Sequence, residues 1–92
     1  MRESRIEKRL LVNIERLNGI CLKCSCIGFN GMPDRMVVYH GKVYFVELKA
    51  PGEIPRKLQR FVHKMLADHG FDVYIIDSLE GVEEFIHEIQ SA

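Results

Sequence analysis

Two apolar runs, residues 36–39 and 43–48, are separated only by His40-Gly41-Lys42. So short a break closes a β-hairpin with its turn near His40-Gly41. A loop centred there sets Val38 against Val43 and, at the open end, Asp34 against Glu47. Directly opposed strand positions hold their Cβ atoms about 4.5–5.5 Å apart, and like charges placed there repel. A chain keeps such a pair mainly where a cation bridges it. Lys49 lies two residues beyond Glu47 and shares its face of the strand, because strand side chains alternate.

The flanking segments define the layers around this hairpin. Residues from about 4 to 18 repeat Ile6, Leu10, Ile14 and Leu17 at helical spacing, with Leu11 widening the stripe, and Asn18-Gly19 supplies a stop. Residues 20–27 read as a strand and residues 28–31 as a loop. After Pro51-Gly52 a second helix is expected near Pro55, with Leu58, Phe61, Val62, Met65 and Leu66 on one stripe and its end at Gly70. A short β-rich run, 72–76, then pairs in parallel with the second hairpin strand through a crossover. A last helix follows Asp77-Ser78, with Leu79, Val82, Phe85, Ile86 and Ile89 inward. The expected fold is α/β, a mixed central β-sheet flanked by helices in the order α-β-β-β-α-β-α.

At 92 residues and 47% hydrophobic content, residues 1–92 are expected to form one domain with a real core. No apolar stretch reaches the roughly 18 residues of a membrane span, and the first residues are charged and helical. The expectation is a soluble, cytoplasmic protein without a membrane partner. Formal net charge is zero but divided. All 13 Lys and Arg fall in 1–64 against six acids, and 65–92 carries seven acids and no Lys or Arg. The division either follows solvated helix faces or marks a basic part that meets a polyanion. Arg56, Lys57, Arg60 and Lys64, close in sequence to the candidate site, favour the second reading. Cys21, Cys24 and Cys26 lack the second ligand pair of a structural zinc site and read as buried, reduced thiols.

The candidate chemistry lies in Gly31-Met32-Pro33-Asp34 and Glu47-Leu48-Lys49. Pro33 fixes its own φ and extends Met32, which delivers Asp34 to a strand entry. Alone, Asp34 would be a solvated turn residue and Lys49 a sheet-edge charge. Glu47 interrupts an apolar run, where an unpaired carboxylate is costly. Together, two carboxylates suit Mg²⁺ or Mn²⁺, hard cations that take one or two carboxylates plus water and substrate phosphate. An adjacent lysine can stabilise charge developing on an attacked phosphate, or help to position and deprotonate the attacking water. Glu7 shares a helix face with Leu10, Leu11 and Ile14, and either reaches the sheet or remains a rim charge. Gln59 shares the row of Val62 and Leu66 and is open to the same two readings. The four His residues are scattered, form no ligand cluster, and read mostly as surface groups.

Glu7, Gly31-Met32-Pro33-Asp34, Glu47-Leu48-Lys49 and Gln59 together resemble the VRR-NUC domain of the PD-(D/E)XK nuclease superfamily, over about residues 4–77. The resemblance implies an αβββαβ restriction-endonuclease-like core, here with an added C-terminal helix, and metal-dependent cleavage of DNA phosphodiesters. It implies Asp34, Glu47 and the Leu48 backbone carbonyl as metal ligands and Lys49 as catalytic. Glu7 would act through the outer metal shell and Gln59 as a supporting site residue, while Lys23 would approach phosphate. Pro55 departs from the helix-capping Ser or Thr more typical there. Stand-alone domains of this kind resemble virus-encoded or bacterial proteins acting on branched DNA. The expected activity is therefore a Mg²⁺- or Mn²⁺-dependent endonuclease, working as a homodimer on four-way junctions in a bacterial or virus-infected host cell. The competing readings are a nucleic-acid-binding module without turnover and, with less support, a protein-interaction domain using the acidic C-terminal helix.

Overall fold

A computed structural model describes residues 2–92. Its elements run α1 (Glu3–Arg16), β1 (Ile20–Lys23), β2 (Arg35–Tyr39), β3 (Lys42–Leu48), α2 (Lys57–Asp68), β4 (Val73–Ile76) and α3 (Leu79–Ser91). The four strands lie in the order β1-β2-β3-β4. β1 and β3 are antiparallel to β2, while β3 and β4 are parallel. The hairpin has the register its short turn requires, with Val38 against Val43 and Tyr39 against Lys42. His40 and Gly41 both take positive φ, 48° and 75°, the geometry that matches a two-residue turn to the strand twist.

Alternation along β3 separates the two faces of the sheet. Tyr44, Val46 and Leu48 join Val37 and Ile76 against Ile6, Leu10 and Ile14 of α1 and Val82, Phe85, Ile86 and Ile89 of α3. Both helices present the inward stripes their periodicity predicts. Phe45 and Glu47 point the other way, toward α2, where Phe45 stacks edge-on with Phe71. Ser78 caps α3, its Oγ accepting the Gly81 amide at 2.9 Å. No helix among the described residues is long and apolar enough to cross a membrane.

Three expectations are corrected. The first strand ends at Lys23 rather than residue 27, because the Cys24 amide already bonds the Asp34 carbonyl at 2.9 Å and closes a loop there. Cys26 lies on that loop and is exposed, so only Cys21 and Cys24 are partly covered. α2 starts two residues after Pro55, and its apolar stripe does not point inward as a unit. Val62 is buried, whereas Leu58, Phe61 and Met65 are 51, 62 and 40% exposed. Gln59 occupies the inward position that a purely apolar reading of the helix gives to a hydrophobe.

Candidate active site

The hydrogen-bonded ladder between β2 and β3 ends at the Arg35–Val46 pair, so Asp34 and Glu47 lie one step beyond it. Alternation places Asp34 with Met36 on the α2 side, the side of Glu47. Arg35 points to the α1 side, where its Nε donates to Glu7 Oε2 at 2.9 Å. Asp34 is fixed by its own side chain, since Oδ2 accepts the Leu48 amide at 2.8 Å. That bond seats the Asp34 carboxylate against the peptide joining Glu47 to Leu48. The segment leading into Asp34 is held by a close approach. Gly31 has φ of +97°, and a Cβ there would sit 2.8 Å from Val62 Cγ2 and 3.1 Å from Leu58 Cγ. Only glycine lets this backbone lie flush on α2.

Glu47 is 1% exposed. Its Oε2 accepts from Gln59 Nε2 at 2.8 Å and lies 3.2 Å from Lys49 Nζ. Oε1 is buried with no hydrogen-bond partner. Burial first, and then the charge of Asp34, hold the Glu47 carboxyl above the usual carboxylate range, while Lys49 acts in the opposite direction. Gln59 ties the group together. Its Oε1 accepts from Lys49 Nζ at 3.0 Å and from the Arg56 amide at 2.8 Å. One side chain thus orients both the acid and the amine and also caps α2, which is how the helix begins without a Ser or Thr.

Each candidate residue can now be placed. Asp34, Glu47, Lys49 and Gln59 converge. Glu7 reaches the sheet, but from the α1 face, with one oxygen engaged by Arg35. Glu3, one helical turn earlier, was not singled out in the sequence. Burial and then the nearby Asp34 charge raise its pKa, and Lys49 and Glu53 also lie within electrostatic reach. Its spacing of four from Glu7 was the available signal. Lys23 pairs with Arg35 across the edge of the sheet. Arg56 and Lys57 stand exposed at the start of α2. Arg60 Nη1 is turned back onto the Pro55 carbonyl at 2.9 Å, and Lys64 lies 3.4 Å from Asp68. His40, His69 and His87 are exposed, whereas His63 is half-buried, with its Nε2 shielded and unpartnered.

The donor set fits a divalent cation. A shielded carboxylate oxygen without a proton donor is the kind of group a metal satisfies, and a second carboxylate stands beside it. Among the described residues no three His, Cys, Asp or Glu side chains are grouped so as to hold a metal ion by themselves. Magnesium-type sites use few protein ligands and draw the remainder from water and phosphate.

A mixed four-stranded sheet whose central hairpin ends in acid, acid and lysine is the framework of restriction-endonuclease-like nucleases. A solved structure described as "VRR_NUC domain" superposes with a TM-score of 0.86 and 30% sequence identity, over 92% of this chain and 94% of that one. The chain is also 42% identical over 79 residues to "Putative nuclease p44" of Acyrthosiphon pisum secondary endosymbiont phage 1, covering 85% of each protein. No family model matches the sequence. The chain belongs to the VRR-NUC family of nucleases.

Proposed function

We propose that the protein is a Mg²⁺- or Mn²⁺-dependent DNA endonuclease that hydrolyses phosphodiester bonds. The observation that carries this reading is the buried, unpartnered Glu47 Oε1 beside Asp34, with the Lys49 amine held 3.2 Å from the other oxygen of the same carboxylate. Asp34, Glu47 and the Leu48 carbonyl would hold the ion, with Glu7 acting through water. When bound, such an ion lowers the pKa of a coordinated water and neutralises charge on phosphate.

The chain's own residues do the rest. Gln59 holds Lys49 so that its ammonium can face the scissile phosphate and oppose charge building on its oxygens. The Leu48 amide holds Asp34 in register with Glu47, so the two acids are set before substrate arrives. Exposed Arg56 and Lys57 at the start of α2 supply positive charge for a nucleic-acid backbone.

We further propose that residues 1–92 act as one domain, that two copies form a homodimer, and that the substrate is branched DNA, four-way junctions first. The exposed Leu58, Phe61 and Met65 face of α2 supports self-association, since an apolar stripe of this kind on a helix flank commonly meets a partner. A phage relative and three free thiols fit a cytoplasmic setting, in a bacterial or virus-infected host cell.

Incubating purified protein with linear, flap and four-way DNA, with and without each ion, tests this reading. Product from the four-way substrate only with ion present supports it. Tight, salt-sensitive binding without product at any ion concentration would establish the alternative, an inactive nucleic-acid-binding module. The convergence of two carboxylates disfavours that alternative, because a binder of polyanions gains nothing from opposed acids.

A further inference from the structure

β1 and β2 are joined by residues 24–33, a stretch with no Lys, Arg, His, Asp or Glu. Both of its ends are fixed beside the candidate site. At the first, the Cys24 amide donates to the Asp34 carbonyl at 2.9 Å, which continues the β1–β2 register and sets Cys24 directly opposite Asp34. At the second, Gly31 lies against Leu58 and Val62 of α2, and Pro33 is buried. Between these anchors the chain closes a turn, the Phe29 amide donating to the Cys26 carbonyl at 3.2 Å. Gly28 takes φ of 79° there, the value of the third residue of a type II turn, although a Cβ would meet nothing within 4 Å. The turn, not crowding, calls for glycine. It presents Ile27 at its corner fully exposed, with the Phe29 ring also in solvent.

The tip is close to the chemistry. Ile27 is three residues from Cys24, about 10 Å of chain at most, and opposed strand positions lie about 5 Å apart, so it stands within about 15 Å of Asp34. A phosphate held at the two acids leaves the bases of an adjoining groove, about 6–12 Å wide, in range of that tip. Phosphate contacts call for cations, and exposed Arg56 and Lys57 offer them at the start of α2. The uncharged loop offers nothing to a phosphate. What it offers is an apolar corner of the kind that meets a base. We propose that Ile27, flanked by Phe29, is a wedge that inserts against the bases next to the phosphate being cut and favours branch points. Apolar wedges replace base-on-base stacking with side-chain contact. In continuous duplex that stacking must first be broken, whereas at a branch it is already interrupted. The loop thus selects for broken stacking rather than for base identity. This inference rests on the reading of the chain as a DNA nuclease.

The test places 2-aminopurine at the branch of a four-way DNA and mixes it with Mg²⁺ and full-length Lys49→Ala protein, so that binding is followed without cutting. Fluorescence is expected to rise about twofold or more at saturation, as the reporter base loses its stacking. Adding Ile27→Ser should abolish the rise, and Ile27→Leu should keep it. In protein with Lys49 intact, Ile27→Ser is expected to reduce the preference for four-way over linear DNA about tenfold, with the melting temperature unmoved at so exposed a position. Binding seen by anisotropy without a fluorescence rise overturns the proposal, as does a rise that survives Ile27→Ser. Sedimentation showing that Ile27→Ser turns a dimer into a monomer also overturns it, and gives the tip to a second copy of the chain. If wild-type protein neither binds nor cuts DNA, the nuclease reading and the wedge fall together. If it cuts while the stacking signal stays flat, the wedge alone falls.

Discussion

The two faces of the sheet are built on opposite principles. The face under α1 and α3 is sealed by aliphatic and aromatic side chains, and Ile6, Leu10, Ile14, Val37, Val46 and Val82 are all fully shielded. The face under α2 buries a carboxylate, an amide and the flank of an imidazole, and leaves three large apolar groups of the covering helix in solvent. Burying apolar surface stabilises, whereas burying a charge that is incompletely paired costs stability. The α1/α3 face therefore supplies the stability that allows the α2 face to hold a strained electrostatic arrangement, with acid beside acid.

Substitutions should separate these roles. The largest effect is expected from Lys49→Ala or Asp34→Ala, each lowering cleavage at least about 100-fold while circular dichroism and the melting temperature stay near wild type. Wild-type rates in either variant would remove the site assignment. Next comes Leu10→Ala on the sealed face, expected to cost about 2–5 kcal/mol in denaturant unfolding. Cleavage per folded molecule should be unchanged. Gln59→Glu should be worse for activity than Gln59→Ala. It replaces the Nε2 donor to Glu47 with a second anion, whereas alanine only removes the contact.

Glu47→Gln is expected to lower cleavage less than Asp34→Ala does, yet raise the melting temperature of metal-free protein. Glu47 keeps its proton to higher pH in the folded than in the unfolded chain. The folded state therefore binds more protons, and stability falls as pH climbs above the ordinary carboxylate value of 4.5. The neutral amide should flatten that slope. A melting temperature that rises with pH through this window in wild-type protein would contradict the sign. The smallest thermodynamic effect should come from Phe61→Ser, within about 0.5 kcal/mol for an exposed position. Sedimentation of that variant as a monomer, beside a wild-type dimer, would sharpen the contrast between a face that folds the chain and a face that meets a partner.

The sequence made the hairpin legible because a two-residue turn leaves little freedom of register, and that register put Asp34 beside Glu47. The helices of the sealed face were equally plain, since Ile6, Leu10 and Ile14 have no other stripe to join. α2 was misread because periodicity shows which residues share a face but not whether the face is covered. Leu58, Phe61 and Met65 follow the helical repeat and yet look outward, while polar Gln59 looks in. The half-burial of His63 is not legible either, because helical spacing does not show how far a flank of α2 is covered. The early end of β1 was hidden because it depends on a bond from Cys24 to the Asp34 carbonyl across the loop.

Gln59 both caps the opening turn of α2 and grips the Lys49 amine, so fraying of the helix and the position proposed for chemistry share one latch. Warming should loosen that helical end ahead of the sealed core. The enzyme would then fall silent some degrees before it melts, with its thermal ceiling set by a single amide rather than by its hydrophobic interior.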